Sequence, residues 1–147
     1  MEFIAKNSGK SIKIVPASFK VAMNLKKEAF KCLNRTNALE KVKDLKNIEL
    51  ATLFSELANL LVEADTSDGF NKAVMECLSV CICDGSHAIT EQFFNDTPAL
   101  WEDYYEIVAN CVEVNLRPFF KSLASELQTR FNNLEEPQAQ ELPQAKI

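Results

Sequence analysis

Eleven residues, Cys77 to His87, read CLSVCICDGSH and bring together three of the chain's five cysteines and its single histidine. Side chains of these types do three kinds of chemistry. They hold zinc, they exchange thiols for disulfides, or a thiolate paired with an imidazole attacks an electrophile. For zinc, Cys77, Cys81, Cys83 and His87 supply four potential ligands. Zinc sites favour cysteine pairs separated by two residues, whose tight turn brings both sulfurs to about 2.3 Å from one ion. The chain has no such pair. Cys77 and Cys81, at i and i+4 on a helix, would need Cys83 and His87 to fold back sharply to complete the set. Redox chemistry asks for a thiol of lowered pKa at a helix N-terminus or beside a cation. Here the cysteines fall toward the C-terminal end of their expected helix, the unfavourable end of its dipole. A Cys83–His87 dyad would require contact across the turn between them. Against all three stands a plainer pattern. Phe70, Ala73, Val74, Cys77, Leu78 and Cys81 recur at i, i+3, i+4, i+7, i+8 and i+11, one face of one helix. A free cysteine is among the most buried residue types, so the spacing favours core cysteines.

Other site chemistry is thin. Three glycines in the whole chain leave no room for a Gly-rich phosphate loop. Glu102 and Asp103 fall in the first turn of an expected helix, where carboxylates suit the dipole. Asp65, Asp68 and Asp84 do not have the spacing of a calcium loop. The expectation is a protein that is not an enzyme and uses no cofactor or metal.

The elements that would position these residues are mainly helical. Gly and Pro are scarce, at 3 and 5, and the 147 residues suffice for one domain with a core of its own. EFIA and SIKIV, joined by KNSGK, read as a short N-terminal β-hairpin whose turn is made by Asn7, Ser8 and Gly9. Pro16 ends the second strand. A helix is predicted over 17–34, with Phe19, Ala22, Met23, Phe30 and Leu33 on one stripe and lysines opposite. A polar connection leads to a second helix from Asn47 to Ala64, striped by Leu50, Leu53, Phe54, Leu57, Leu60 and Leu61. Ser67 or Asp68 caps the third, from Gly69, which Asp84-Gly85 should end. HAIT is extended, and TEQFF is one helical turn capped by Thr90. Thr97-Pro98 starts a fourth helix reaching Asn115, with Trp101, Tyr104, Tyr105, Val108, Cys111 and Val112 inward. A fifth helix runs over 118–132. The whole is about five helices forming one domain, residues 1–133, followed by a polar tail, 134–147, expected to be disordered.

Charge is divided along the chain. Residues 1–47 carry +7 and residues 48–147 carry −12, for a net −5. Opposite ends of this kind can neutralise each other or attract between copies, head to tail. No dense Lys/Arg cluster with interleaved aromatics points to nucleic acid. No run approaches the ~20 apolar residues that span a membrane, and MEFIAKNSGK has no secretory h-region, so a cytoplasmic location with free thiols is expected. Of 13 aromatic residues, seven lie between Phe93 and Phe120. Some fill the core; others would anchor a partner helix in a groove.

The stretches IVPASFKVAMNLKKEAFK, DGFNKAVMECLSV, DGSHAITEQFFND and EDYYEIVANCVEVNLRPFF resemble a family of tail assembly chaperones of long-tailed bacteriophages, over roughly residues 10–125. The resemblance implies a non-enzymatic chaperone that binds the helical tape-measure protein and keeps it soluble. It also implies help in recruiting tail-tube subunits in the host cytoplasm, and departure before the tail matures, so that the protein is not in the mature virion. Self-association along one extended partner would suit that task, and a longer frameshifted form is common in the family. In that family the cysteine positions are usually apolar. Trp101, Tyr104, Tyr105, Phe119 and Phe120 are the candidate partner-binding residues. The alternatives are a small virion-associated or regulatory interaction protein, and a thiol or metal protein built on Cys77, Cys81, Cys83 and His87.

Overall fold

The computed structural model of the chain describes residues 1–36, 67–119 and 125. Its elements are β1 (Glu2–Ile4), β2 (Ser11–Lys13), α1 (Phe19–Thr36), α2 (Asp68–Leu78), β3 (Ile82–Cys83), β4 (His87–Ala88), α3 (Glu91–Asp96) and α4 (Tyr104–Leu116). Two 3-10 segments, Pro98–Asp103 and Arg117–Phe119, flank α4. The described part is helix-rich with a short antiparallel sheet. The expected helix over 47–64, the helix beyond Phe119 and the tail 134–147 lie outside the described residues.

The N-terminal hairpin forms as the alternation in EFIA and SIKIV requires. Glu2 pairs with Lys13, Phe3 with Ile12 and Ile4 with Ser11, and Gly9 turns the chain at a φ of +73°. The sheet then continues beyond the sequence expectation. β3 pairs with β2 and β4 with β3, giving the order β1-β2-β3-β4. The helix carrying Cys77 therefore does not run on to Asp84. It stops at Leu78, where the Ser79 N–H bonds back to the Met75 carbonyl. Asp84-Gly85 is instead the tip of a second hairpin, both residues at positive φ, as a tight hairpin turn demands. The Asp84 carboxylate accepts from the Ser11 N–H at 3.0 Å and meets Lys10, stitching this tip to β2. The backbone bond, followed by the opposing effect of desolvation and then Lys10, leaves its carboxyl below the ordinary range.

Helix starts follow local chemistry closely. Ser67 caps α2 by accepting from the Phe70 N–H, and Thr90 caps α3 by accepting from the Phe93 N–H. Thr97-Pro98 opens a 3-10 segment with no side-chain cap, and the α-helical part begins only at Tyr104.

α1 packs on α2 and α4, and α2 on α4. Ile12, Leu25, Ala29, Phe70, Leu78, Ile89, Leu100, Ile107 and Leu116 are among the side chains that close the core. Two stripes are rotated from the sequence reading. On α1 the buried line is Ala22, Leu25 and Ala29, while Phe19 is 72% exposed. On α4 it is Ile107, Val108, Cys111, Val112, Asn115 and Leu116, and Trp101 and Tyr105 face outward.

Asn115 is 1% exposed and earns its place by hydrogen bonds. Its Oδ1 accepts from the Ala17 N–H at 2.8 Å, and its Nδ2 donates to the Cys111 carbonyl at 2.8 Å. It thereby ties the link between β2 and α1 to the far end of α4. Asn115→Ala strands the Ala17 N–H and is expected to cost about 1–3 kcal/mol, measured by urea unfolding.

Candidate partner-docking site

Four segments build a concave aromatic surface. The 3-10 turn Pro98–Asp103 presents Trp101, the first turn of α4 presents Tyr104 and Tyr105, and Phe94 of α3 and Met75 of α2 complete the lining. The groove encloses about 320 Å³. Phe94 is buried and meets Tyr104 edge-on, with ring centroids 5.6 Å apart at 73°. Tyr104 meets Tyr105 likewise at 5.4 Å and 72°. Such edge-to-face pairs add to simple burial. The Trp101 indole N–H donates to the Phe94 carbonyl at 2.7 Å, so the ring is held while 60% of the residue stays exposed. Tyr105 is 64% exposed. A pinned, outward-facing Trp beside an outward-facing Tyr is unusual for a surface with no partner, because both offer large apolar area at low conformational cost.

The groove is anchored from the N-terminal hairpin. Asp103 stands where the 3-10 turn becomes α4, and its carboxylate is fully covered by the hairpin loop. Oδ1 accepts from the Asn7 N–H at 2.8 Å and from Asn7 Nδ2 at 3.0 Å, and Oδ2 from the Ser8 N–H at 2.9 Å. Asn7 Nδ2 also donates to the Glu102 carbonyl, and the Lys6 N–H donates to Glu106. Desolvation works against the Asp103 charge. Hydrogen bonds from the Ser8 side chain, the Asn7 and Ser8 N–H groups and the Asn7 amide outweigh it, and the carboxyl stays below its ordinary range.

Five residues were candidates from sequence. Trp101, Tyr104 and Tyr105 come together in this groove. Phe119 does not. It lies past the other end of α4, about 20 Å along a 13-residue helix, and is half-buried against Phe19, with ring centroids 6.3 Å apart. Phe120 lies outside the described residues. Sequence reasoning missed Met75 and Phe94. Phe94 had a usable signal, since the Thr90 cap fixes which Phe of TEQFF turns inward. Met75 had none, lying just off the core stripe.

The phage tail assembly chaperone family model, described as "Phage tail assembly chaperone protein, TAC", matches residues 6–137. The chain belongs to that family. No curated protein and no solved structure matches it. For a tail assembly chaperone, the family gives a role in tail assembly and favours a non-enzymatic one. Among the described residues no helix is long and apolar enough to cross a membrane.

Four cysteines of this tail assembly chaperone are packing residues in geometry. Cys77, Cys81, Cys83 and Cys111 are free thiols with no exposed surface. Cys81 stands just beyond the end of α2 and Cys83 on β3, a correction to their expected helical placement. His87, across the sheet from Cys83, stacks on Phe93 at 5.5 Å. Among the described residues no three His, Cys, Asp or Glu side chains converge to hold a metal. Nor is Cys83 activated beside His87: burial, then the Asp84 charge, pushes its thiol up. Burial, then Cys81 and Glu76, takes Cys77 to about 12. Cys111 shares a hydrogen bond with Cys81; this, with burial, holds Cys111 well above its ordinary value and draws Cys81 down to about 7. A reactive thiol also needs access, and Cys81 has none. The expected result is that iodoacetamide modifies these four cysteines only as the protein unfolds, read by peptide mapping after timed alkylation with and without urea.

Proposed function

We propose that this tail assembly chaperone binds the phage tape-measure protein, laying an amphipathic helix of it in the groove of Met75, Phe94, Trp101, Tyr104 and Tyr105. The observation that carries the reading is the pinned Trp101 indole beside the exposed Tyr105 over a floor of apolar side chains. Helix-in-groove recognition uses aromatic walls of this kind and reads anchors at i, i+3, i+4 and i+7. A tape-measure helix held this way keeps its apolar stripe from water until tail-tube subunits replace the chaperone. The reading places the protein in the host cytoplasm and outside the mature virion, with residues 1–133 acting as one domain. Phe119 is not part of this groove and packs against Phe19 at the other end of α4.

The test is co-expression with the tape-measure protein, followed by size exclusion with mass determination. A soluble complex, and an insoluble tape measure when the chaperone is omitted, supports the proposal. A chaperone that elutes alone beside an aggregated tape measure defeats it. The rival reading, a virion-associated protein, is decided by mass spectrometry of purified particles.

A further inference from the structure

A second concavity, of about 340 Å³, lies along α1 and reaches Glu76 of α2. Phe19, Val21 and Met23 give it an apolar floor, and Phe19 is the most exposed large hydrophobic residue among those described. Lys20 and Lys27 stand on its α1 edge, two turns apart and about 10 Å along the helix. Three other lysines of the described part are engaged. Lys31 pairs with Glu28 at 3.2 Å, Lys10 with Asp84 at 3.4 Å, and the Lys26 ammonium lies 5.9 Å and 5.3 Å from the Phe30 and Phe119 ring centres. Lys20 and Lys27 make no ion pair among the described residues. The opposite wall carries Glu76. An apolar floor thus runs between a lysine edge and a carboxylate wall.

We propose that this α1 groove is a second docking surface, which takes an acidic amphipathic helix from a partner protein. The chemistry of the lining sets the terms. The occupant's apolar stripe covers Phe19 and Met23, and carboxylates one heptad apart meet Lys20 and Lys27. Glu76 repels those carboxylates from the far wall and so fixes which edge of the occupant faces α1. The aromatic groove differs in character, since its lining of Met75, Phe94, Trp101, Tyr104 and Tyr105 carries no charged side chain. A single chaperone would then hold two helices, one in each groove. The proposal uses a different face from the tape-measure reading and stands without it.

Two synthetic helices sharing one leucine stripe test it, one flanked by Glu and the other by Lys, with fluorescence anisotropy on the full chain. The Glu helix is expected to bind, weakening as salt is raised. Lys20→Glu with Lys27→Glu should weaken it about tenfold, Phe19→Ala should weaken it too, and Trp101→Ala should leave it unchanged. Far-UV circular dichroism checks that each variant is folded. Equal binding of both helices overturns the proposal, as does unchanged binding by the Lys20→Glu, Lys27→Glu variant. Tighter binding of a short single-stranded DNA than of the Glu helix would assign the face to nucleic acid. A mass of the chain alone that falls from dimer to monomer in the same variant would assign it to a second copy. Either of these also overturns it.

Discussion

Trp101→Ala combined with Tyr105→Ala is expected to weaken binding of a tape-measure helix at least a hundredfold while leaving the fold intact. The size follows from what these side chains still have to bury. An aromatic side chain covers about 150–250 Å² when fully buried. With 60% and 64% of these residues open, roughly 100 Å² of each remains for a partner, which at about 25 cal/mol per Å² is worth about 2.5 kcal/mol apiece. Association costs and imperfect packing reduce the sum, and a net loss of about 3 kcal/mol is just over a hundredfold in Kd. Stability should move far less, by about 1 kcal/mol, because the main intramolecular loss is the hydrogen bond from the Trp101 indole to the Phe94 carbonyl. Tyr104→Ala should behave differently. That ring is half-buried and packs edge-on against Phe94, so both stability and binding should fall. Val80→Ala, an exposed apolar position in neither groove lining, serves as the neutral control. Calorimetric titration of a tape-measure peptide, alongside thermal unfolding of each variant, reads the split. Unchanged affinity in the double variant would remove this groove from the binding surface.

The groove was half-legible in the sequence, and the reason is geometric. Trp101, Tyr104 and Tyr105 fall on one stripe in the sequence, and large apolar residues at helical spacing normally face the core. That stripe requires α-helical geometry from Pro98 onward. The chain instead runs as a 3-10 turn to Asp103, at three residues per turn, which rotates Trp101 away from the stripe of α4. The face that does pack includes Asn115, a residue that pattern reading discounts and that the Ala17 N–H requires.

Local signals did well where their chemistry was self-contained. Ser67, Thr90 and the Asn7–Gly9 turn each act within a few residues, and each was readable. The β3–β4 hairpin was not, although Asp84-Gly85 is a strong turn signal. Cys81 continued the periodicity of α2 by coincidence, so helix and strand competed for the same residues. The strand wins through pairing with β2, Ile12 opposite Cys83 and Lys13 opposite Ile82, a contact about seventy residues away in sequence that no local window contains. Burial was right even where the element was wrong, since Cys81 and Cys83 are fully covered. A cysteine's preference for the interior does not depend on the backbone that carries it there.

The least local feature, and the one on which the aromatic groove leans, is Asp103. Asp103→Ala is expected to lower stability by about 2–3 kcal/mol at neutral pH, because two backbone N–H groups and the Asn7 amide lose a charged acceptor together. The pH dependence gives the mechanism a signature. The folded-state pKa of Asp103 is lowered, so its contribution is fully present above the unfolded carboxyl value of about 3.9 and is lost as pH falls through the folded value. The gap in unfolding free energy between the native chain and Asp103→Asn should therefore be wide at neutral pH and narrow as pH falls through the folded value. A gap of constant width would mean that the side chain acts through packing and not through its charge. The same variant also tests the tie between hairpin and groove. With the charge gone, the Asn7–Glu102 and Lys6–Glu106 bonds remain between the hairpin and the start of α4, and the Trp101–Phe94 bond holds the groove without the hairpin's full support. Helix binding should then weaken at neutral pH even at temperatures where Asp103→Asn remains folded, because a groove that must be ordered before it binds gives up part of its affinity to that ordering.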